Sequence, residues 1–252
     1  MRSQTTAFVF AVVTAFALHA HAEVTYENTK DGNNSFDVIR MSVTPAAEPV
    51  PSLRYRLVSR DVDLKPGNSV PYYYRAMLNL ARDSENIRKK YKEEEIDQWE
   101  TPGAEGTPIR DLPLEKVRDV ANSTVGSAGA QIVDATTRRE CNWELGIEDM
   151  RGVDLVSFLL PEFQSARELA RMLTLRTRLE IAERRYDDAI ETMRQQFRLG
   201  HDVSQVPLLV CGLVGIAIDS LSSSALVEFI ANPDSPNMYW ALTEIPQHGV
   251  SS

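Results

Sequence analysis

Along most of the chain, apolar residues recur every three or four positions, the spacing of one face of an α-helix. The clearest stretch is "RYDDAIETMRQQFRLG". Here Tyr186, Ala189, Ile190, Met193 and Phe197 fall on one stripe, and Gly200 stands where a helix would stop. The preceding "EFQSARELARMLTLRTRLEIAERR", which follows Pro161, carries two apolar tracks, at 166, 169, 170, 173 and at 172, 175, 179, 182. Two tracks predict burial on more than one side. Only about two residues turn between these helices, so they are expected to form an antiparallel hairpin.

Further upstream, Pro71 suits a first helical turn before "YYYRAMLNLAR". "SENIRKKYKEEEIDQWE" predicts a solvated helix with Lys89 facing Glu93 and Lys90 facing Glu94. "TPGAEGTP" (101–108) is loop composition. "LPLEKVRDVANST" and "VGSAGAQIVDATTRRE" then predict two helices. Residues 23–69 lack this period. "KDGNNS" is turn chemistry and "TPAAEPVPS" a proline-rich linker. "FDVIRMSV" and "LRYRLVS" could each be a short strand, but neither has an evident partner. This region is expected to be a mostly irregular, proline-containing arm clamped onto the helices.

One stretch departs from every period. "PLLVCGLVGIAI" (207–218) is a proline followed by eleven residues without a charge, amide or hydroxyl. From Val206 to Ile218 it is too short for the roughly 20 residues of a membrane-spanning helix. A helix apolar on all sides is expected to be surrounded by protein, with Gly212 and Gly215 admitting a neighbouring backbone. Asp219 and "SLSSSALVEFIANP" follow, the latter predicting another short helix that closes at Pro233.

The N-terminus changes the setting. Arg2, the apolar run "AFVFAVVTAFAL" and then Ala20-His21-Ala22 make a signal peptide, with cleavage expected after Ala22. The chain is therefore expected to be periplasmic or extracellular, with no integral membrane segment after cleavage. Its net charge is −9, and the signal holds a single basic residue and no acid, so the remainder is more acidic still. That balance argues against nucleic acid, whose binding needs phosphate neutralisation by Lys and Arg. Cys141 and Cys211, the two cysteines, could pair after export or stay apart as a thiol and a small core hydrophobe.

Candidate chemistry is sparse. No zinc spacing, HExxH, GxSxG, P-loop or dinucleotide fingerprint occurs, and "DVDLKPG" breaks the calcium-loop pattern at Lys65. No catalytic, metal or cofactor residue is assigned. The acids Glu93, Glu94, Glu95 and Asp97, and the pair Asp187 and Asp188, suit exposed or first-turn helix positions. Two aromatic groups remain as candidate partner-binding residues: Tyr72, Tyr73, Tyr74 with Arg75, and Asn237, Tyr239 with Trp240. Tyr, Trp and Arg are common interface anchors.

"RYDDAI" resembles the inter-helix turn of a tetratricopeptide (TPR) unit, with Arg185 where a glycine is usual and no second copy at a 34-residue period. "LKPGNSVPYYYRA", "RRECNWEL", "ARMLTLRTRLEIAERRYDDAI", "LVGIAI" and "SPNMYWALTEIP" together resemble a group of exported helical proteins of planctomycete bacteria. That resemblance implies export and an all-helical body; it carries no activity and no catalytic residues.

The expected fold is all-α, antiparallel helical hairpins in a TPR-like or α-solenoid-like bundle. Its parts are a signal (1–22), the arm (23–69), a helical domain (70–246) and a tail (247–252). The expected function is binding or scaffolding for a protein or peptide partner. The alternatives are a structural envelope component and an enzyme assembled from Arg75, Arg138, Arg139, Glu140, Glu168 and Arg171.

Overall fold

The computed structural model describes residues 22–31, 34–43, 54–146, 153–206 and 208–245. The segment expected to be a signal (1–22), save Ala22, and the C-terminal tail (247–252) lie outside them. The fold is mostly helical. Strands β1 (Ala22–Asp31) and β2 (Asn34–Val43) come first, then β3 (Lys65–Asn68) and α1 (Val70–Lys90). α2 (Glu93–Glu100), α3 (Leu114–Thr136) and β4 (Arg138–Glu140) follow. α4 (Val153–Ala182), α5 (Tyr186–Ser204), α6 (Leu209–Ala231) and α7 (Tyr239–Leu242) complete the order.

α1 packs on α3, α3 on α4, and α4, α5 and α6 pack on one another. The larger core joins Tyr73, Leu80, Val120, Ile132, Trp143, Phe163, Leu169, Leu173 and Ile218. A second core, at the α4–α5 turn, collects Ile181, Ile190, Met193, Phe229 and Met238 around Leu57 of the arm. The arm does reach the helical body: Leu57 is fully buried.

The α4–α5 turn is a Schellman motif. Arg185 N–H bonds the Glu180 carbonyl at 2.8 Å and Arg184 N–H bonds that of Ile181 at 2.9 Å. The left-handed residue is Arg184, at φ 59°. Polar bonds line the interface beyond it: Gln196 Nε2 to Thr174 Oγ1 at 2.9 Å, and Thr192 Oγ1 to Glu180 Oε2 at 2.8 Å.

Several expectations are corrected. The arm is not mostly irregular: β1 and β2 form an antiparallel hairpin from Ala22↔Val43 to Asp31↔Asn34. β1 packs against α6, which supplies the neighbour a lone hairpin lacks. β3 pairs with β4 in parallel, Lys65 opposite Arg138, tying the entry of α1 to the exit of α3. The charged stretch is not one helix. Tyr91 is extended, so Lys89 bonds Glu85 at 2.9 Å and Lys90 reaches Asp119 at 2.6 Å instead of the acids of α2. The two helices expected over 112–140 are the single α3. It runs through "NSTVGSAG" with Val120, Val125, Ala128 and Ile132 buried along one face, so tertiary burial overrides the weak local propensity. α4 starts before Pro161, at Val153.

The largest correction concerns α6. The helix runs 23 residues, to Ala231, so the length argument against a membrane span fails. Nor is it enclosed all round. Cys211, Gly215, Ile218, Ser222, Ala225 and Phe229 face the protein, whereas Leu209, Leu213 and Ile216 are 82%, 57% and 63% exposed. Gly215 meets α5 closely, but Gly212 has open space beside it. α6 is a core helix with one bare apolar face.

Candidate functional site

A cavity of about 360 Å³ opens between the arm, α5 and α6. α5 presents Arg194, Phe197, Arg198 and His201 to it, positions i, i+3, i+4 and i+7 of one helical face. α6 contributes Asp219 and Ser223, the arm Leu57, Val58, Ser59 and Asp61, and the C-terminal segment Ile245. The register of α5 against α6 is set by two glycines. A β-carbon on Gly200 would collide with Asp219 Oδ1, and one on Gly215 would lie 2.9 Å from the Gly200 carbonyl oxygen.

Arg198 is held from behind. Its Nη2 donates to the Arg138 carbonyl at 3.0 Å, and its Nε lies 2.9 Å from Asp202 Oδ1, an ion pair outside hydrogen-bond alignment. Asp202 is itself buried. Tyr73 Oη donates to its Oδ2 at 2.8 Å, and its backbone carbonyl accepts Trp143 Nε1 at 3.0 Å and Cys141 Sγ at 3.6 Å. Burial pushes the Asp202 carboxyl upward, against the opposing pull of Arg198 and the Tyr73 bond. Burial likewise drives Cys141 up to about 12 and Cys211 to about 11. Both thiols are free and neither is a nucleophile at neutral pH.

Ser223, His201 and Asp219 share the cavity wall, the residue types of a hydrolytic triad. His201 Nε2 lies 3.4 Å from Gln205 Nε2, and Arg194 is engaged with Glu191.

A second cleft, of about 260 Å³, lies among α1, α2, α3 and α4. Glu100 is buried in its wall and accepts a bond from Arg171 Nη1 at 3.3 Å. Burial pushes its carboxyl up to about 7, with Asp97 and Glu168 adding repulsion and Arg171 opposing. Arg88 bonds Glu168 at 3.0 Å on the same wall. Of the six scattered enzyme candidates, this cleft gathers Glu168 and Arg171. Arg138, Arg139 and Glu140 lie apart on β4, and Arg75 stacks over Tyr72. Asp187 and Asp188 flank an open surface hollow and pair with Arg54 and Arg185.

The aromatic candidates separate. Tyr73 is fully buried, 6.1 Å from Trp143 and nearly parallel to it, so it is no surface anchor. Tyr74 meets the same indole edge-on at 5.8 Å. Tyr72 accepts a bond from Arg138 Nη2 at 3.0 Å beneath the Arg138 and Arg75 guanidiniums. Asn237 Oδ1 caps the backbone N–H of Tyr239 at 2.8 Å, and Tyr239 lies edge-on to Trp240 at 5.3 Å. Trp240, 42% exposed, is the accessible one of these rings. Tyr72, Tyr73 and Tyr74 pack in the larger core, whereas Met238 and Ala241, which bracket Tyr239 and Trp240, belong to the second.

No group of three metal-ligating side chains occurs among the described residues. No family model, curated protein or solved structure matches the chain. The residues of the cavity between the arm, α5 and α6 were not singled out in the sequence as binding candidates. Arg194, Arg198 and His201 share one helical face that can be read directly, but nothing there pairs that face with Asp61 or Asp219.

Proposed function

We propose that the protein is an exported helical binding module that receives a peptide in the cavity between the arm, α5 and α6. One observation carries this reading. Arg198, fixed by buried Asp202 and the Arg138 carbonyl, stands in a cavity where Leu57, Val58, Phe197 and Ile245 share the wall with Ser59, Asp61, Arg194, His201, Asp219 and Ser223. A polar group oriented in advance beside apolar wall residues is what ligand sites offer, because the ordering is complete before binding. The TPR-like character of the α4–α5 hairpin belongs to the same proposal.

Cavity filling tests it. Ser223→Phe, at an exposed wall position, should abolish capture of peptides from a synthetic library while leaving the melting temperature within about 2 °C of the parent. Equal capture by both proteins would refute the site. Export is tested separately by N-terminal sequencing, which should begin at Glu23. Cleavage there removes only the Ala22↔Val43 pair from the β1–β2 hairpin.

A further inference from the structure

We infer that the cleft among α1, α2, α3 and α4 binds a small primary ammonium with a short aliphatic tail. This lies beyond the peptide reading, which concerns a different cavity.

The charges lining the cleft do not balance. Arg171 serves two carboxyls of α2, Glu100 at 3.3 Å and Asp97 at 3.9 Å. Arg88 and Glu168 pair one to one at 3.0 Å, and Glu93 and Arg167 bring one charge of each sign. α3 adds Val120 and Thr124, neither of them charged. One negative charge is left over, and it belongs to Glu100 and Asp97. Near neutral pH a proton meets part of that excess: burial raises the Glu100 carboxyl to about 7, with Asp97 and Glu168 adding to it against Arg171.

A buried hydroxyl is the second observation. Ser84 of α1, 7% exposed, lines the same cleft and makes no side-chain hydrogen bond to a described residue. Buried hydroxyls on other helices turn back on their own backbone. Thr174 bonds the Ala170 carbonyl at 3.1 Å, and Ser222 bonds that of Ile218 at 2.9 Å. Ser84 keeps its oxygen as an acceptor for what enters the cleft.

An ammonium answers both. It brings one positive charge and three donors to a site whose free valences are carboxylate and hydroxyl acceptors. A carboxylate ligand would add to the excess, and an alcohol would leave it unmet. Ile87, Ile96, Val120 and Met172 line the rest of the cleft and suit an aliphatic tail. About 260 Å³ is below the usual span of drug-sized sites, so the ligand is small. Binding replaces the Glu100 proton with the ammonium charge.

Titration calorimetry on the purified protein with n-butylamine, butyrate and 1-butanol tests this. Butylammonium should bind, and butyrate and butanol should not. Its affinity should fall about tenfold from pH 8 to pH 6, as Glu100 takes up its proton. Glu100→Gln should weaken butylammonium at least tenfold at pH 8 and flatten the pH profile. Ser84→Ala should weaken it while keeping the slope. Melting temperatures of both variants confirm that they are folded. Binding of butylammonium that Glu100→Gln leaves unchanged, a flat profile in the parent protein, or tighter binding of butyrate would each overturn the site. So would the absence of any butylammonium binding.

Discussion

Gly215 of α6 faces Gly200 of α5 so closely that a β-carbon on Gly215 would lie 2.8 Å from Ser204 Cβ and 2.9 Å from the Gly200 carbonyl oxygen. Backbone cannot yield as a flexible side chain would. Gly215→Ala adds helix propensity of at most about 1 kcal/mol but forces the helices apart, and overpacking costs about 1–3 kcal/mol. The melting temperature should fall. Gly212→Ala, three residues away with nothing near it, should gain the propensity alone and raise the midpoint. Thermal melts of the two variants should move in opposite directions.

Arg178 is fully buried, and one guanidinium fixes a whole loop. Its Nη1 donates to the Trp99 carbonyl and Nη2 to that of Thr107, while Nε bonds Glu228 Oε2 at 2.8 Å. Glu228 Oε1 also accepts the Gly103 N–H at 2.9 Å. Glu228→Ala would strand a buried cation, at about 3–5 kcal/mol. Hydrogen exchange should rise first at residues 101–107, and unchanged protection there would show that the loop is held otherwise.

The contribution of Glu100 to stability should fall as pH rises toward neutral. The Glu100 carboxyl is pushed from the ordinary 4.5 up to about 7, mainly by burial. A raised carboxyl favours folding while protonated. Its contribution is complete below pH 4.5 and is lost as pH climbs through about 7. Asp202 and Glu180, also raised by burial, add slopes of the same sign. Glu100→Gln should therefore be stabilising at pH 8, by up to about 3 kcal/mol, and near neutral at pH 4. Denaturant unfolding at the two pH values measures the difference. Equal effects at both would remove Glu100 as the source.

The bare face of α6 should be silent in stability. Leu213→Ser and Ile216→Ser change exposed positions and should stay within about 0.5 kcal/mol. Ile218→Ala, on the buried face of the same helix, should cost about 2–5 kcal/mol. Urea titrations of all three distinguish a helix set in the protein from one that needs an apolar covering over its outer side.

The legible parts of the fold were those whose pattern is local. The stripe from Tyr186 to Phe197 marks α5 because one face is polar, and Pro71 marks the opening of α1. Residues 209–218 of α6 are uniformly apolar, so no period tells Leu213 from Ile218, and only their neighbours decide which is buried. The hairpin needed β1 as partner for "FDVIRMSV", a pairing that periodicity does not report. Tyr91, which ends α1, stands among charged helix formers with no proline or glycine beside it. The cavity is the least legible, since Asp61, Arg198 and Asp219 come from three separate elements.

Asp202 holds Arg198 on the cavity wall through its carboxylate and Trp143 in the core through its backbone carbonyl. The indole is thus a single residue removed from the cavity. Any ligand that draws on the Arg198 guanidinium changes the charge balance at Asp202 and so the electric field along the Trp143 ring. Trp143 emission should therefore respond to occupancy, over the emission of Trp99 and Trp240 elsewhere in the chain.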